Sequence, residues 1–130
     1  TILDGAHNPS GIAALAAALD AEIGGRPLVA VLSVLDDKDA AGMLRALLDR
    51  CSTAVFTSSA NRRALPPATL ASLASQIGWR GEPVLEPDPR AALERARALT
   101  GPGGAVVATG SMYLIADLLS PPGARRASAL

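Results

Sequence analysis

The chain has 130 residues, and its twelve acidic and twelve basic side chains leave no formal net charge at pH 7. That balance argues against a bulk attraction to nucleic acid or to an anionic membrane surface, and no apolar run approaches the ~18 residues of a membrane span. A single cysteine excludes an internal disulfide and any multi-cysteine metal site, while the length suits one domain.

In chain order, Thr1-Ile2-Leu3 reads as part of a strand, and Asp4-Gly5-Ala6-His7-Asn8-Pro9 as a turn that starts a helix. Ile12, Leu15, Ala16, Leu19 and Ile23 then recur at helical spacing, with Pro9 in the first turn and Gly24-Gly25 as the stop. Leu28 to Leu35 is an apolar run without alternation, the pattern of a strand covered on both faces. Ala40, Met43, Leu44 and Leu47 mark one face of a second helix, and Ala54-Val55-Phe56 a further buried strand. A third helix follows Pro67 with Leu70, Leu73, Ala74 and Ile77 inward. After a weak strand signal near Val84-Leu85 come a helix with Ala92, Leu93, Ala96 and Leu99 inward, a buried strand from Ala105 to Ala108, and a last helix from Ser111 to Leu119. Repeated strand-helix units on right-handed crossovers predict an α/β fold: a Rossmann-like, mostly parallel sheet flanked by helices on both faces, a three-layer αβα sandwich over residues 1–120. Pro121 to Leu130, rich in proline, glycine and small residues, is expected to be disordered. Cys51, beside Leu47, Leu48 and Val55, reads as core packing.

An open parallel sheet binds ligands at the carboxyl ends of its strands, which turns the loops into a short list of candidates. Asp4 to Asn8 follow the first strand, Ser33 to Asp39 the second, Thr57 to Arg63 the third, and Thr109-Gly110-Ser111 the last. Asn8 suits an N-cap and Pro9 a first helical position, so the helix aims free N–H groups and a positive dipole end at the turn before it. Asp4 can accept hydrogen bonds from hydroxyls such as those of a ribose, Gly5 allows close backbone approach, and His7 can donate, accept or take up a proton near neutral pH. The same residues would also serve a plain polar cap with His7 bonded to backbone, and the spacing leaves both readings open. Thr109-Gly110-Ser111 could cradle a carboxylate or phosphate or simply cap a helix. Asp36 to Asp39 suit a solvated helix start, Arg62 and Arg63 a wet loop unless an acidic substrate lies near, and Arg90, Glu94 and Arg97 a surface ladder. Trp79, Tyr113 and Phe56 offer too little aromatic surface for base stacking.

No GxxxxGK[ST] phosphate loop occurs, and Gly101-Pro-Gly103-Gly104 precedes a strand instead of following one, so it is not a dinucleotide fingerprint. One histidine and one cysteine spell no Cys-His pair, and no GxSxG elbow surrounds any serine.

LDGAHNPSG at the start, a buried strand running into LDDKD, RALPP (Arg63 to Pro67) before a helix, and VVATGSMYLIADLL near the end together resemble the C-terminal domain of folylpolyglutamate synthases and the related dihydrofolate synthases, members of the Mur-type ATP-dependent amide ligases. The resemblance covers nearly the whole chain in order. It implies a cytoplasmic enzyme of folate metabolism in which ATP phosphorylates the γ-carboxylate of a folate and the amine of L-glutamate attacks the acyl phosphate. In such enzymes the phosphate loop, the Mg2+ ligands and most of the folate or dihydropteroate site lie in a larger N-terminal ATPase domain. Carried onto this chain, the resemblance places Asp4 on the ATP ribose, with Gly5 and Asn8 in the same nucleotide-side turn, and His7 and Ser111 near the incoming glutamate. Arg63 and Arg62 would suit a substrate carboxylate, Lys38 belongs to the substrate side without a defined role, and no metal ligand is expected. An arginine that the family carries just upstream of the opening motif has no counterpart, because only three residues precede Asp4.

The expectation is therefore a fragment of a larger ligase, without turnover of its own. The alternatives are the C-terminal domain of a cell-wall or cyanophycin-type ligase, and a noncatalytic Rossmann-like binding module.

Overall fold

The structure is a computed structural model and describes residues 1–121. The expected disorder of the tail thus falls, from residue 122 on, outside the described residues. Five strands form one sheet: β1 (Ile2–Leu3), β2 (Leu28–Leu32), β3 (Thr53–Phe56), β4 (Glu82–Leu85) and β5 (Ala105–Thr109), in the order β1-β5-β2-β3-β4 with every pair parallel. Five helices connect and follow them: α1 (Pro9–Ile23), α2 (Ala40–Leu47), α3 (Pro67–Gln76), α4 (Pro89–Thr100) and α5 (Met112–Leu119).

The sheet is buried on both sides because both faces of its central strands are apolar. Leu28, Ala30 and Leu32 of β2 pack with Ile12, Leu15 and Leu19 of α1, Met43, Leu44 and Leu47 of α2, and Leu70 and Ala74 of α3. Val29 and Val31 of the same strand pack with Ala92, Leu93 and Ala96 of α4 and Leu114 and Leu118 of α5. Alternation of two apolar sets along one strand is what makes a three-layer αβα sandwich possible. The expected inner faces of α1 and α2 are buried in full, whereas Leu99 on α4 is 51 % exposed and Leu73 and Ile77 on α3 are only partly covered.

Two strand limits differ from the sequence reading. The apolar run from Leu28 does not stay in the ladder to Leu35: β2 ends at Leu32, and the chain turns so that Leu65 N–H bonds Val34 O at 2.8 Å and Leu35 forms an antiparallel bridge with Ala64. Val34 and Leu35 are apolar because they are buried beneath this crossing, not because they are strand. The weak signal near Val84-Leu85 is a four-residue edge strand, mostly exposed, in which Pro83 is tolerated because an edge has one free side. Caps follow the residues present. Asn8 Oδ1 accepts from Gly11 N–H at 2.7 Å, Asp39 Oδ1 from Gly42 N–H at 2.9 Å and Asp88 Oδ2 from Ala91 N–H at 2.9 Å, while Gly24 closes α1 at φ 58°. Among the described residues no helix is long and apolar enough to cross a membrane.

Cys51 lies in the core as expected, and burial pushes its thiol up to about 12 from 9.0, against a smaller opposing pull from the charge of Arg50. A raised thiol pKa means that the folded state resists ionisation that the unfolded state undergoes. Its contribution is intact below pH 9 and is lost as pH climbs from there towards 12, by up to about 1.4 kcal/mol per unit. Urea midpoints at pH 8.5 and 10.5 are therefore expected to fall further for the parent chain than for Cys51→Ala, by about 2 kcal/mol in stability. Equal falls would show that the thiol does not ionise on unfolding.

Candidate active site

The topology opens a crevice at the carboxyl edge of the sheet. The loops leaving β1 and β2 run to helices on one face, the loop leaving β5 runs to α5 on the other, and β5 lies between β1 and β2. Neighbouring loops that part to opposite faces leave a cleft between them. It has a volume of about 310 Å3 and is lined by His7 after β1, by Leu35, Asp37 and Lys38 after β2, by Arg63 after β3, and by Gly110 to Tyr113 after β5. Four separate loops thus supply its polar groups.

His7 is exposed at this cleft, and its Nδ1 lies 3.1 Å from Gly5 O. A carbonyl oxygen only accepts, so Nδ1 carries the proton of the neutral ring and Nε2 is left as a lone-pair acceptor. Asp4 is half-buried and one of its oxygens, Oδ1, accepts from Ala6 N–H at 2.9 Å. Oδ2 has no partner among the described residues. The contacts of a polar cap are all present, with Asn8 capping α1, Asp4 holding the Ala6 N–H and His7 bonded to backbone; His7 also faces the cleft, whereas Asp4 lines neither this cleft nor the groove beside it.

Gly110 locks that turn to the start of α5. Its N–H bonds Ala6 O at 3.0 Å, its φ is 105°, and a Cβ there would collide with Ser33 O. Only glycine combines that dihedral with that contact. Ser111 is buried and caps α5, its Oγ accepting from Tyr113 N–H at 3.1 Å. The cap reading of Thr109-Gly110-Ser111 is thus realised, and the cap residue also lines the cleft, so the two readings are compatible.

The cations differ in their freedom. Arg63 is held by the acidic turn, Nε 3.3 Å from Asp36 Oδ1 and Nη2 2.9 Å from Asp37 Oδ2. The hydrogen bond from Asp36 first, and then the charge of Asp37, raise its already high pKa. Lys38 lines the cleft without an ion pair among the described residues. Arg62 is exposed and does not line the cleft, which separates it from the other substrate-side candidates. Asp39 is the cap of α2, the helix-start role read for the acidic turn.

Beside the cleft runs an apolar groove of about 660 Å3 lined by Gly5, Met112, Ile115, Ala116, Leu119, Ser120 and Pro121. Met112, 63 % exposed, lines both, so it forms the partition between them. A Cβ on Gly5 would stand 3.2 Å from Met112 Cγ, which makes that glycine part of the same partition.

Four cleft residues were not singled out by sequence reasoning: Leu35, Asp37 as a lining group, Met112 and Tyr113. Tyr113 had a readable signal, since it lies two residues after a capping serine and so shares the first turn that faces the strand ends. Asp37 had none, because its place depends on the chain crossing at residues 34–36 and 63–65. Among the described residues no three His, Cys, Asp or Glu side chains form a group able to hold a metal ion.

A model of the family described as Mur ligase, glutamate ligase domain, matches residues 1–112. The chain is 46% identical over 74 residues to the dihydrofolate synthase/folylpolyglutamate synthase of Mycobacterium tuberculosis, a match that covers 57% of this chain and 15% of that protein. Among solved structures it is similar to the Mycobacterium tuberculosis folylpolyglutamate synthase complexed with ADP, at TM-score 0.76 and 36% identity over 83% of this chain and 26% of that one. It is also similar to the bifunctional folylpolyglutamate synthase/dihydrofolate synthase of Yersinia pestis complexed with AMPPNP and a manganese ion, at TM-score 0.70 and 25% identity over 88% and 27% of the two chains. This chain thus spans about a quarter of those solved proteins.

Proposed function

The chain belongs to the Mur ligase glutamate ligase domain family, and from that premise we propose that it is the C-terminal domain of an ATP-dependent folylpolyglutamate synthase, with or without dihydrofolate synthase activity, and that its cleft receives L-glutamate. One observation carries the reading: His7, Lys38, Arg63 and Ser111, from four loops, line a single cleft at the switch point of the sheet. That set suits a small dianionic amino acid, with cations for its carboxylates and a neutral acceptor for its amine.

ATP supplies the phosphoryl group that activates the folate γ-carboxylate, and the groups that hold its phosphates and metal are assigned to the preceding N-terminal domain. The residues here offer a contact for the ribose: the free Oδ2 of Asp4 is an acceptor for a hydroxyl, with Gly5 and Asn8 shaping the turn, whereas no three His, Cys, Asp or Glu side chains among the described residues are grouped to hold a metal ion. On the amino-acid side, Lys38 pairs with a glutamate carboxylate, Arg63 with the other by loosening its hold on Asp37, and Ser111 donates its hydroxyl proton. Arg62, exposed and outside the cleft lining, adds only long-range attraction. His7 Nε2 accepts a proton of the incoming ammonium, so that the amine lone pair is free to attack the activated carbonyl while the phosphate leaves.

The test is glutamate- and folate-dependent ADP release. The protein comprising this chain and its N-terminal domain is expected to release ADP only when both substrates are present, and the 130 residues alone to release none, since positioned phosphate donors and metal make the chemistry possible. Turnover by the 130 residues alone, or by the longer protein with another amino acid in preference to glutamate, would overturn the assignment.

A further inference from the structure

The two walls of the cleft are joined by a contact that lies outside it. Asp117, on α5 and half-buried, accepts the N–H of Ala60 through Oδ2 at 2.6 Å. Ala60 lies in the middle of the Thr57–Arg63 loop, between β3 and α3. The residue before it is tied as well: Ser59 N–H donates to Ser33 Oγ at 3.0 Å, both residues being buried, Ser33 directly after β2 and Ser59 in the loop after β3. Downstream, Arg63 N–H donates to Asn61 Oδ1 at 2.8 Å and Asp36 N–H to Arg63 O at 2.8 Å. The loop is therefore held by side chains from two other segments. One end of it carries Arg63 into the cleft, and the helix that bears Asp117 begins at the cap Ser111 on the opposite side.

Nothing in the sheet sets the Arg63 to Ser111 relation directly, because β3 and β5 are not neighbours; β2 separates them. We propose that Asp117 is a positioning residue: through the Ala60 amide it fixes the Arg63 loop against α5, so that one amino-acid ligand meets Arg63 and Ser111 together. This rests on the reading of the cleft as an amino-acid site. A carboxylate suits the task because a charged acceptor binds an amide N–H more strongly than a neutral one does, and because α5 and the loop share no other hydrogen bond among the described residues.

Two measurements on the 130-residue chain test it. In amide NMR spectra, Asp117→Ala is expected to move the signals of Ala60 to Arg63 and also of Ser111 to Tyr113, with those of β4 and α3 unchanged; movement confined to Ala60 would overturn the coupling. In a titration with L-glutamate, Asp117→Ala is expected to bind about tenfold more weakly, and Asp117→Asn, which keeps an acceptor oxygen, to remain within about threefold of the parent. Equal binding by Asp117→Ala and the parent would also overturn it. Should Asp117→Ala fail to fold, Asp117→Asn is expected to give smaller shifts at both walls, and shifts at one wall alone would count against the proposal. A parent chain that binds no glutamate would sink the amino-acid reading while the spectra still decide the coupling.

Discussion

Replacing His7 by alanine in the enzyme that carries this chain is expected to lower kcat/KM for L-glutamate about 100-fold, while the KM for ATP stays within about twofold. The size follows from the kind of contact. A hydrogen bond to a charged group contributes about 1.5–3 kcal/mol, and a 100-fold loss corresponds to about 2.7 kcal/mol. The selectivity follows from position: His7 lines the polar cleft, and Asp4, the residue of the same turn proposed for the ribose, does not. The ring is oriented by its own backbone, since Nδ1–H is engaged by Gly5 O and Nε2 is left as the acceptor. Initial-rate kinetics with each substrate varied in turn check this. Equal losses for glutamate and ATP would mean that His7 merely holds the turn, and the division of the opening motif into two contacts would then fail.

Gly110→Ala is expected to destabilise the chain by about 3 kcal/mol or more, seen as a drop of roughly 10 °C or more in Tm. Two costs add at one residue. A φ of 105° is strained for any residue with a Cβ, and that Cβ would also collide with the Ser33 carbonyl, a backbone atom fixed at the end of β2. Relief would require β5 and β2 to part just where their ladder ends at the Leu32 to Thr109 register, and it would strain the Gly110 to Ala6 hydrogen bond that holds the His7 turn. Gly103→Ala is the control: it has no positive φ and nothing within 4 Å of its Cβ, so its Tm is expected to stay the same or to rise slightly. Thermal unfolding of the two variants side by side checks the claim, and equal Tm values for both would refute it.

Much of this architecture was readable because its signals are local. Apolar runs without alternation marked β2, β3 and β5, helical spacing marked four inner faces, and Asn8-Pro9 marked a helix start that the backbone realises with a capped first turn. The rule about strand ends named four loops, the resemblance picked His7, Lys38, Arg63 and Ser111 from them, and these four line one cleft. What stayed hidden depends on residues far apart in sequence. The crossing of residues 34–36 by 63–65 turns two apolar positions out of the ladder and brings Asp36 and Asp37 onto Arg63; no pattern within either stretch announces it. Leu99 has the right spacing for a buried face yet lies at the frayed end of α4, where the sheet no longer covers it. Asp117 reads as an ordinary polar residue on an amphipathic helix until the Ala60 amide appears beside it.

The place of β5 has a consequence for how the chain comes to exist. Among the described residues it is the last strand in chain order, it lies between the first two, and β1 has no other ladder partner. While residues up to about 100 have emerged from the ribosome, β2, β3 and β4 can already assemble with α1, α2 and α3, but β1 lacks its ladder partner and one edge of β2 lies open. Such late, long-range pairing is slow and leaves unpaired backbone exposed meanwhile. The His7 turn and the Ser111 cap therefore take their places together when the sheet is sealed, and they complete a cleft whose other side, Asp37, Lys38 and Arg63, rests on contacts between the loops after β2 and β3 alone.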